Sequence, residues 1–127
     1  MGTLAGLATE QIKHSAQSAA GEQEPLYACP RLASAFVLFG KRWSAVIVDL
    51  LLQRPARFHE LARAVPGLSQ RVLTERLREL ADGGIVERHV ETGSPITVTY
   101  SLTECGRALG PAMQAMREWA VKLDEPP

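Results

Sequence analysis

The chain has 127 residues and 46% hydrophobic content, enough for one domain with a real core, and no apolar run reaches the ~20 residues that span a membrane. Its 14 basic residues balance its 14 acidic ones, so net charge alone gives no sign of a nucleic-acid partner. The distribution does: from Arg31 to Arg78 nine basic residues face three acidic ones, an excess of six that the rest of the chain cancels, as in a protein with a basic binding face and an acidic remainder.

Residues Met1 to Glu24 are rich in Ala, Gly, Ser, Gln and Thr and poor in large apolar side chains. They are expected to form a disordered arm with at most a transient helix around Thr9 to Ala20. The first residues lack a charged segment before an apolar core, so they do not make a secretory signal. Cys29 and Cys105 are too few for a disulfide scaffold, which makes a reduced, cytoplasmic protein the default.

Pro30 suits the first turn of a helix whose Leu32, Ala35, Phe36 and Phe39 recur at helical spacing until Gly40. Trp43, Val46, Ile47, Leu50 and Leu51 then trace a second amphipathic helix, with Trp43 expected in the core and Pro55 as the stop. Ala56, Arg57 and Phe58 read as a short extended link. Phe58, Leu61, Ala62 and Val65 form the inner face of the next helix, which ends at a Pro66-Gly67 turn.

Ser69 is placed to cap the helix that follows. There Leu73, Leu77 and Leu80 share one face, while Arg71, Thr74, Glu75 and Arg78 lie opposite and Gln70 sits near the start. Gly83 and Gly84 end it. Two amphipathic segments about such a turn are the pattern of a helix-turn-helix.

The period then changes to two. Val86, Arg88 and Val90 alternate with Glu87, His89 and Glu91, and Ile96, Val98, Tyr100 and Leu102 alternate with Thr97, Thr99 and Ser101. Residues 92–95 supply the turn, so a hairpin with one buried face is expected. After a helix-turn-helix, such a hairpin is a wing. Thr103 opens the last helical stretch, which Gly110-Pro111 should kink or split. Its stripe of Cys105, Leu109, Ala112, Met113, Met116, Ala120 and Leu123, flanked by Trp119, is wider than a small core needs. That favours a dimer interface over intramolecular packing alone, with Cys105 as a packing residue. Residues 124–127 are a tail. The predicted fold is mainly α with a small β-hairpin wing, in one winged helix-turn-helix domain over residues 25–123.

A helix N-terminus in the major groove reaches base edges, so Gln70, Arg71 and Thr74 are candidates for base reading, with Arg78 further along the same face. Glu75 would accept from cytosine or orient a neighbouring Arg. Arg76, at the edge of the leucine stripe, is expected to pair within the domain. Lys41, Arg42, Arg57 and His59 are candidates for phosphate contact. His14, His59 and His89 show no metal-ligand spacing, and no nucleophile–base pair or glycine-rich phosphate loop appears. No cofactor, metal or enzyme activity is therefore expected.

The motifs Cys29-Pro30, Gly40-Lys41-Arg42-Trp43-Ser44, Arg57-Phe58-His59-Glu60-Leu61, the run from Pro66 to Leu80, Gly84-Ile85-Val86-Glu87-Arg88, Tyr100-Ser101-Leu102-Thr103, Gly106-Arg107 and Arg117-Glu118-Trp119 follow in the order and spacing of a known family. Over Cys29 to about Leu123 the chain resembles the HxlR-type winged helix-turn-helix transcriptional regulators, relatives of the MarR type. The resemblance implies a homodimer joined through its N- and C-terminal helices, with Leu32, Phe36, Leu109, Met113, Met116, Trp119, Ala120 and Leu123 at the interface. It also implies a two-fold-symmetric DNA operator, and the leading reading of the function is a dimeric repressor, with an activator as the other possibility. At the Cys-Pro position it implies a thiol that senses oxidants or electrophiles, here Cys29, before a helix whose dipole favours thiolate and beside Arg31. The alternatives are an unreactive Cys29 in a regulator that responds to a small apolar ligand, or a winged-helix protein-interaction module. Two positions depart from the family pattern. Thr97 stands where wings often carry Arg or Lys, leaving Arg88 or His89 as the wing's DNA contact, and His59 stands where a small polar residue is commoner.

Overall fold

A computed structural model of the protein describes residues 23–125. The expected arm, its transient helix and His14 therefore lie almost wholly outside the described residues. The chain divides between Lys41 and Arg42 into two compact units.

In the first unit, α1 spans Pro30–Phe39 with proline in its first turn. Cys29 is its N-cap, and the Cys29 Sγ accepts from the Leu32 N–H at 3.4 Å. Gly40 closes it by donating its N–H to the Phe36 carbonyl at 2.8 Å.

The second unit contains α2 (Ser44–Gln53), β1 (Ala56–Arg57), α3 (Phe58–Ala64), α4 (Gln70–Asp82), β2 (Val86–Glu91), β3 (Thr97–Leu102), α5 (Glu104–Arg107), α6 (Gly110–Ala120) and a final 3-10 turn, Val121–Asp124. Its core is made by Ile47, Val48 and Leu51 of α2, Leu61 and Val65 around α3, Leu68, Leu73, Leu77 and Leu80 of the turn and α4, and Ile85, Val86 and Leu102 at the root of the hairpin. This is the expected winged helix-turn-helix, mainly helical with a small sheet.

Five local expectations change. Trp43 is half-buried at the head of α2, with left-handed backbone (φ +80°), instead of sitting in the core. Its ring lies under the Arg42 guanidinium, 4.6 Å from the ring centroid. The buried face of α2 is Ser44, Ile47, Val48 and Leu51, one step round from the predicted stripe, and Val46 is exposed. This helix is apolar on most sides, so its neighbours decide which face is covered.

Ala56 and Arg57 are more than a link. They form a strand that pairs antiparallel with β3, Ala56 opposite Tyr100 and Arg57 opposite Thr99, giving a three-stranded sheet in the order β1-β3-β2. The hairpin buries its root, not a whole face: Val86 and Leu102 are buried while Val90 and Ile96 near the tip are exposed. It extends past the helices that cover its root, and alternation alone does not say how far that cover reaches.

Finally, Cys105 is exposed instead of packed. Gly110-Pro111 does split the last helical stretch, and α5 is only four residues long. The residue α5 buries is Gly106, where a Cβ would collide with the Ile85 carbonyl and press on Leu102. Thr103 joins this helix to the start of the wing. Its N–H donates to the Ile85 carbonyl at 3.0 Å, its hydroxyl donates to the Gly84 carbonyl at 2.6 Å, and its oxygen accepts from the Gly106 N–H.

Candidate nucleic-acid interface

The site is built around α4. Gly67 supplies the left-handed residue of the preceding turn (φ +92°), and Leu68 is buried beneath it. The Ser69 hydroxyl then accepts from the Val72 N–H at 3.1 Å, satisfying one of the open donors at the helix start. Leu73, Leu77 and Leu80 fix the helix to the core, and Gly84 (φ +76°) turns the chain out of it.

Arg76 sets the rotation of α4. Only 17% of its side chain is exposed; its Nε donates to the Arg42 carbonyl at 3.0 Å and its Nη1 pairs with Glu79 at 2.9 Å. It is a scaffold residue, as its place on the leucine edge suggests. With that rotation, Arg71, Thr74 and Arg78 are exposed on the opposite face, and Gln70 is exposed at the helix start. Thr74 donates its hydroxyl to the Gln70 carbonyl at 2.8 Å, leaving its oxygen free to accept. The Arg71 side chain is 88% exposed and leans on Glu75, 3.4 Å from its Nε. Glu75 also lies 4.0 Å from Arg76, so it sits between the outward arginine and the anchored one.

Arg57 and His59 are exposed where β1 meets α3. There Glu60 accepts from the Arg57 N–H at 3.0 Å and from Arg54 Nη2 at 2.5 Å. The Arg54 hydrogen bond, then the Arg57 N–H, bring the Glu60 carboxyl down to about 2 against partial desolvation, and the same pairing raises Arg54. Lys41 and Arg42 are exposed, in separate units, and Arg42 stacks on Trp43.

The predicted wing residues fall on two faces of the hairpin. Arg88 stands opposite Tyr100, on the same face as the buried Val86 and Leu102, toward α4. Thr97, opposite Glu91, and His89, opposite Thr99, share the other face. His89 is engaged there, 3.0 Å from the Ser101 hydroxyl and 3.3 Å from Glu87. Between α4 and the Arg88 face lies a cleft of about 250 Å³ lined by Thr74, Leu77, Arg78, Ala81, Arg88 and Tyr100. Tyr100 was missed by the sequence reading, although the strand alternation already places it across from Arg88.

Both cysteines are free, and Cys29 is half-buried. On α1, Leu32 and Phe36 are exposed. In the second unit Met116, Trp119 and Leu123 are exposed, whereas Leu109, Met113 and Ala120 are half-buried. Arg117 of α6 pairs with Asp49 of α2, beside an apolar groove of about 200 Å³ that includes Val46, Met113 and Met116. Among the described residues no three metal-ligating side chains come together, and no helix is long and apolar enough to cross a membrane.

Comparison with known proteins places this geometry. The transcriptional regulator YodB of Bacillus subtilis is 46% identical over 98 residues, 77% of this chain and 88% of YodB. Its structure in the reduced form matches with a TM-score of 0.71 at 44% identity, covering 80% of this chain and 99% of that one. The quinone-bound form matches at 0.65 and 45% identity, covering 74% and 99%. The redox regulator HypR in its reduced form matches at 0.69 and 37% identity, covering 72% and 91%. The model of the HxlR-like helix-turn-helix family matches residues 38–126, so the exposed face of α4 and the wing beside it are those of an HxlR-type, DNA-binding transcription regulator, the family to which this chain belongs.

Proposed function

We propose that the chain acts in the cytoplasm as a homodimeric repressor of a two-fold-symmetric operator, released when oxidants or electrophiles modify Cys29. The winged-helix domain would span residues 25–123, with 124–127 as a tail. The observation that carries the reading is the division of α4: Leu73, Leu77 and Leu80 are buried while Gln70, Arg71, Thr74 and Arg78 are exposed on a capped helix. Arg71 suits guanine and Gln70 suits adenine, each bidentate contact giving about 1–3 kcal/mol of discrimination. Ser69 and Thr74 flank them, and Glu75 orients Arg71. Lys41, Arg42, Arg57 and His59 contact phosphates, with Arg88, His89 and Thr97 as the wing's share.

Dimerisation is supported by the type and exposure of the apolar side chains. Leu32, Phe36, Met116, Trp119 and Leu123 stand out of each unit, and Leu109, Met113 and Ala120 back them in the second. Aromatic residues and Met are enriched at such interfaces. Sensing by Cys29 is supported by its half-buried place at the head of α1 and by the quinone-bound form of YodB.

The test is a shift assay on a duplex that the protein selects from a random-sequence library. Binding should weaken steeply with salt. Arg71→Ala should lose about 5- to 150-fold on the selected duplex and little on mixed-sequence DNA. Equal loss on both removes Arg71 from base reading. A quinone or diamide should release the wild type and leave Cys29→Ser bound; release of both acquits Cys29.

A further inference from the structure

The cleft between α4 and the wing has no assigned role. A helix with its side chains is about 10–12 Å across and the major groove about 12 Å wide, so a seated helix fills the groove and a sugar-phosphate backbone runs along each flank. On one flank of α4 stands the hairpin, its root packed against the leucines that anchor the helix. A backbone on that side would run past the gap between the two, and the cleft lies in that gap.

Its lining suits an anion. Arg78 enters from the helix and Arg88 from β2, and among the described residues neither side chain has a hydrogen bond or ion pair. No acidic residue lines the cleft, since Glu87 and Glu91 lie on the other face of β2. Tyr100, directly across from Arg88, adds a phenol that can donate. Leu77 and Ala81 make the floor apolar, which strengthens a charge-assisted bond made above it. Two guanidinium forks and a hydroxyl are the donors a phosphodiester takes.

From this we infer that Arg78, Arg88 and Tyr100 clamp one backbone phosphate on the wing side of the recognition helix. Arg78 then positions the helix, setting its depth in the groove, and leaves base reading to the first turns of α4. This inference rests on the DNA-binding reading of α4.

The experiment measures affinity against salt for the selected duplex and for a mixed-sequence duplex of equal length. Neutralising one phosphate contributes about 0.9 to the slope of log affinity on log salt, or about 8-fold in affinity at 0.1 M. Arg78→Gln and Arg88→Gln should each weaken both duplexes by similar factors. The double variant should lose about 0.9 of slope in total, because the two side chains share one phosphate. Tyr100→Phe should weaken both duplexes with the slope unchanged. Loss by Arg78→Gln on the selected duplex alone makes it a base reader and overturns the clamp. So does a slope change of about 1.8 in the double variant, which means two phosphates, or no change at all. Failure of the wild type to bind either duplex overturns the DNA-binding reading itself.

Discussion

Glu60 closes the start of α3 through Arg54 and the Arg57 N–H, and this gives it a signature in acid. Its carboxyl titrates near 2 in the folded chain against an ordinary 4.5. A lowered folded value means the stabilisation is complete above about 4.5 and is lost as pH falls toward 2. Glu60→Gln should therefore melt lower than wild type at neutral pH and converge with it in strong acid, in melting curves taken from pH 7 down to 2. A constant gap across that range would show that the charge of Glu60 is not what stabilises the cap. At this scale the sequence was informative where chemistry is local. Ser69 is a cap because of what it is and where it stands, and Arg76 turns inward because it borders the leucine stripe. Trp43 and Cys105 were misjudged because an apolar residue at helical spacing is buried only if something lies over it.

Among the elements, α5 shows how little can hold a helix in place. Four residues suffice because Thr103 caps them and Gly106 lets the backbone come against Ile85. Gly106→Ala should destabilise the domain by about 1–3 kcal/mol, the usual cost of overpacking, read as a lower urea midpoint with an unchanged slope. An unchanged midpoint would mean that Ile85 and Leu102 can yield at no cost. The helices were legible because each carries its own period and stops, down to the split at Gly110-Pro111. β1 was not. Two residues carry no period, and its partner strand lies on the far side of the helix-turn-helix and half the hairpin. The extent of the wing's buried face was hidden for a related reason: Val90 and Ile96 keep the alternation after the cover has ended.

In the molecule as a whole, the excess charge of the middle segment and the exposed apolar side chains fit the two partners of the proposed function. The first suits DNA, while Met116, Trp119 and Leu123 suit a second copy of the chain. Trp119→Asp should place an unpaired charge in that interface and convert dimer to monomer in sedimentation velocity, with the melting of the winged-helix core little changed. A dimer that survives Trp119→Asp would move the interface elsewhere. On a palindrome the monomer should bind as one half-site does, because linkage between half-sites is lost. The candidate DNA face was largely readable because α4 displays it on one side. The cleft beside it was not, since it arises only when the hairpin folds back against the helix and brings Arg88 and Tyr100 near Arg78.

The triple tie at Thr103 separates the base of the wing from its far end. With the chain pinned at Gly84, Ile85 and Gly106, the strands are held at their root whatever length of loop joins their ends. Doubling a flexible loop costs only about 0.6 kcal/mol. Residues 92–95 are thus the place where insertions are tolerated, and where a graft could give the molecule a new contact while the helix-turn-helix keeps its pose.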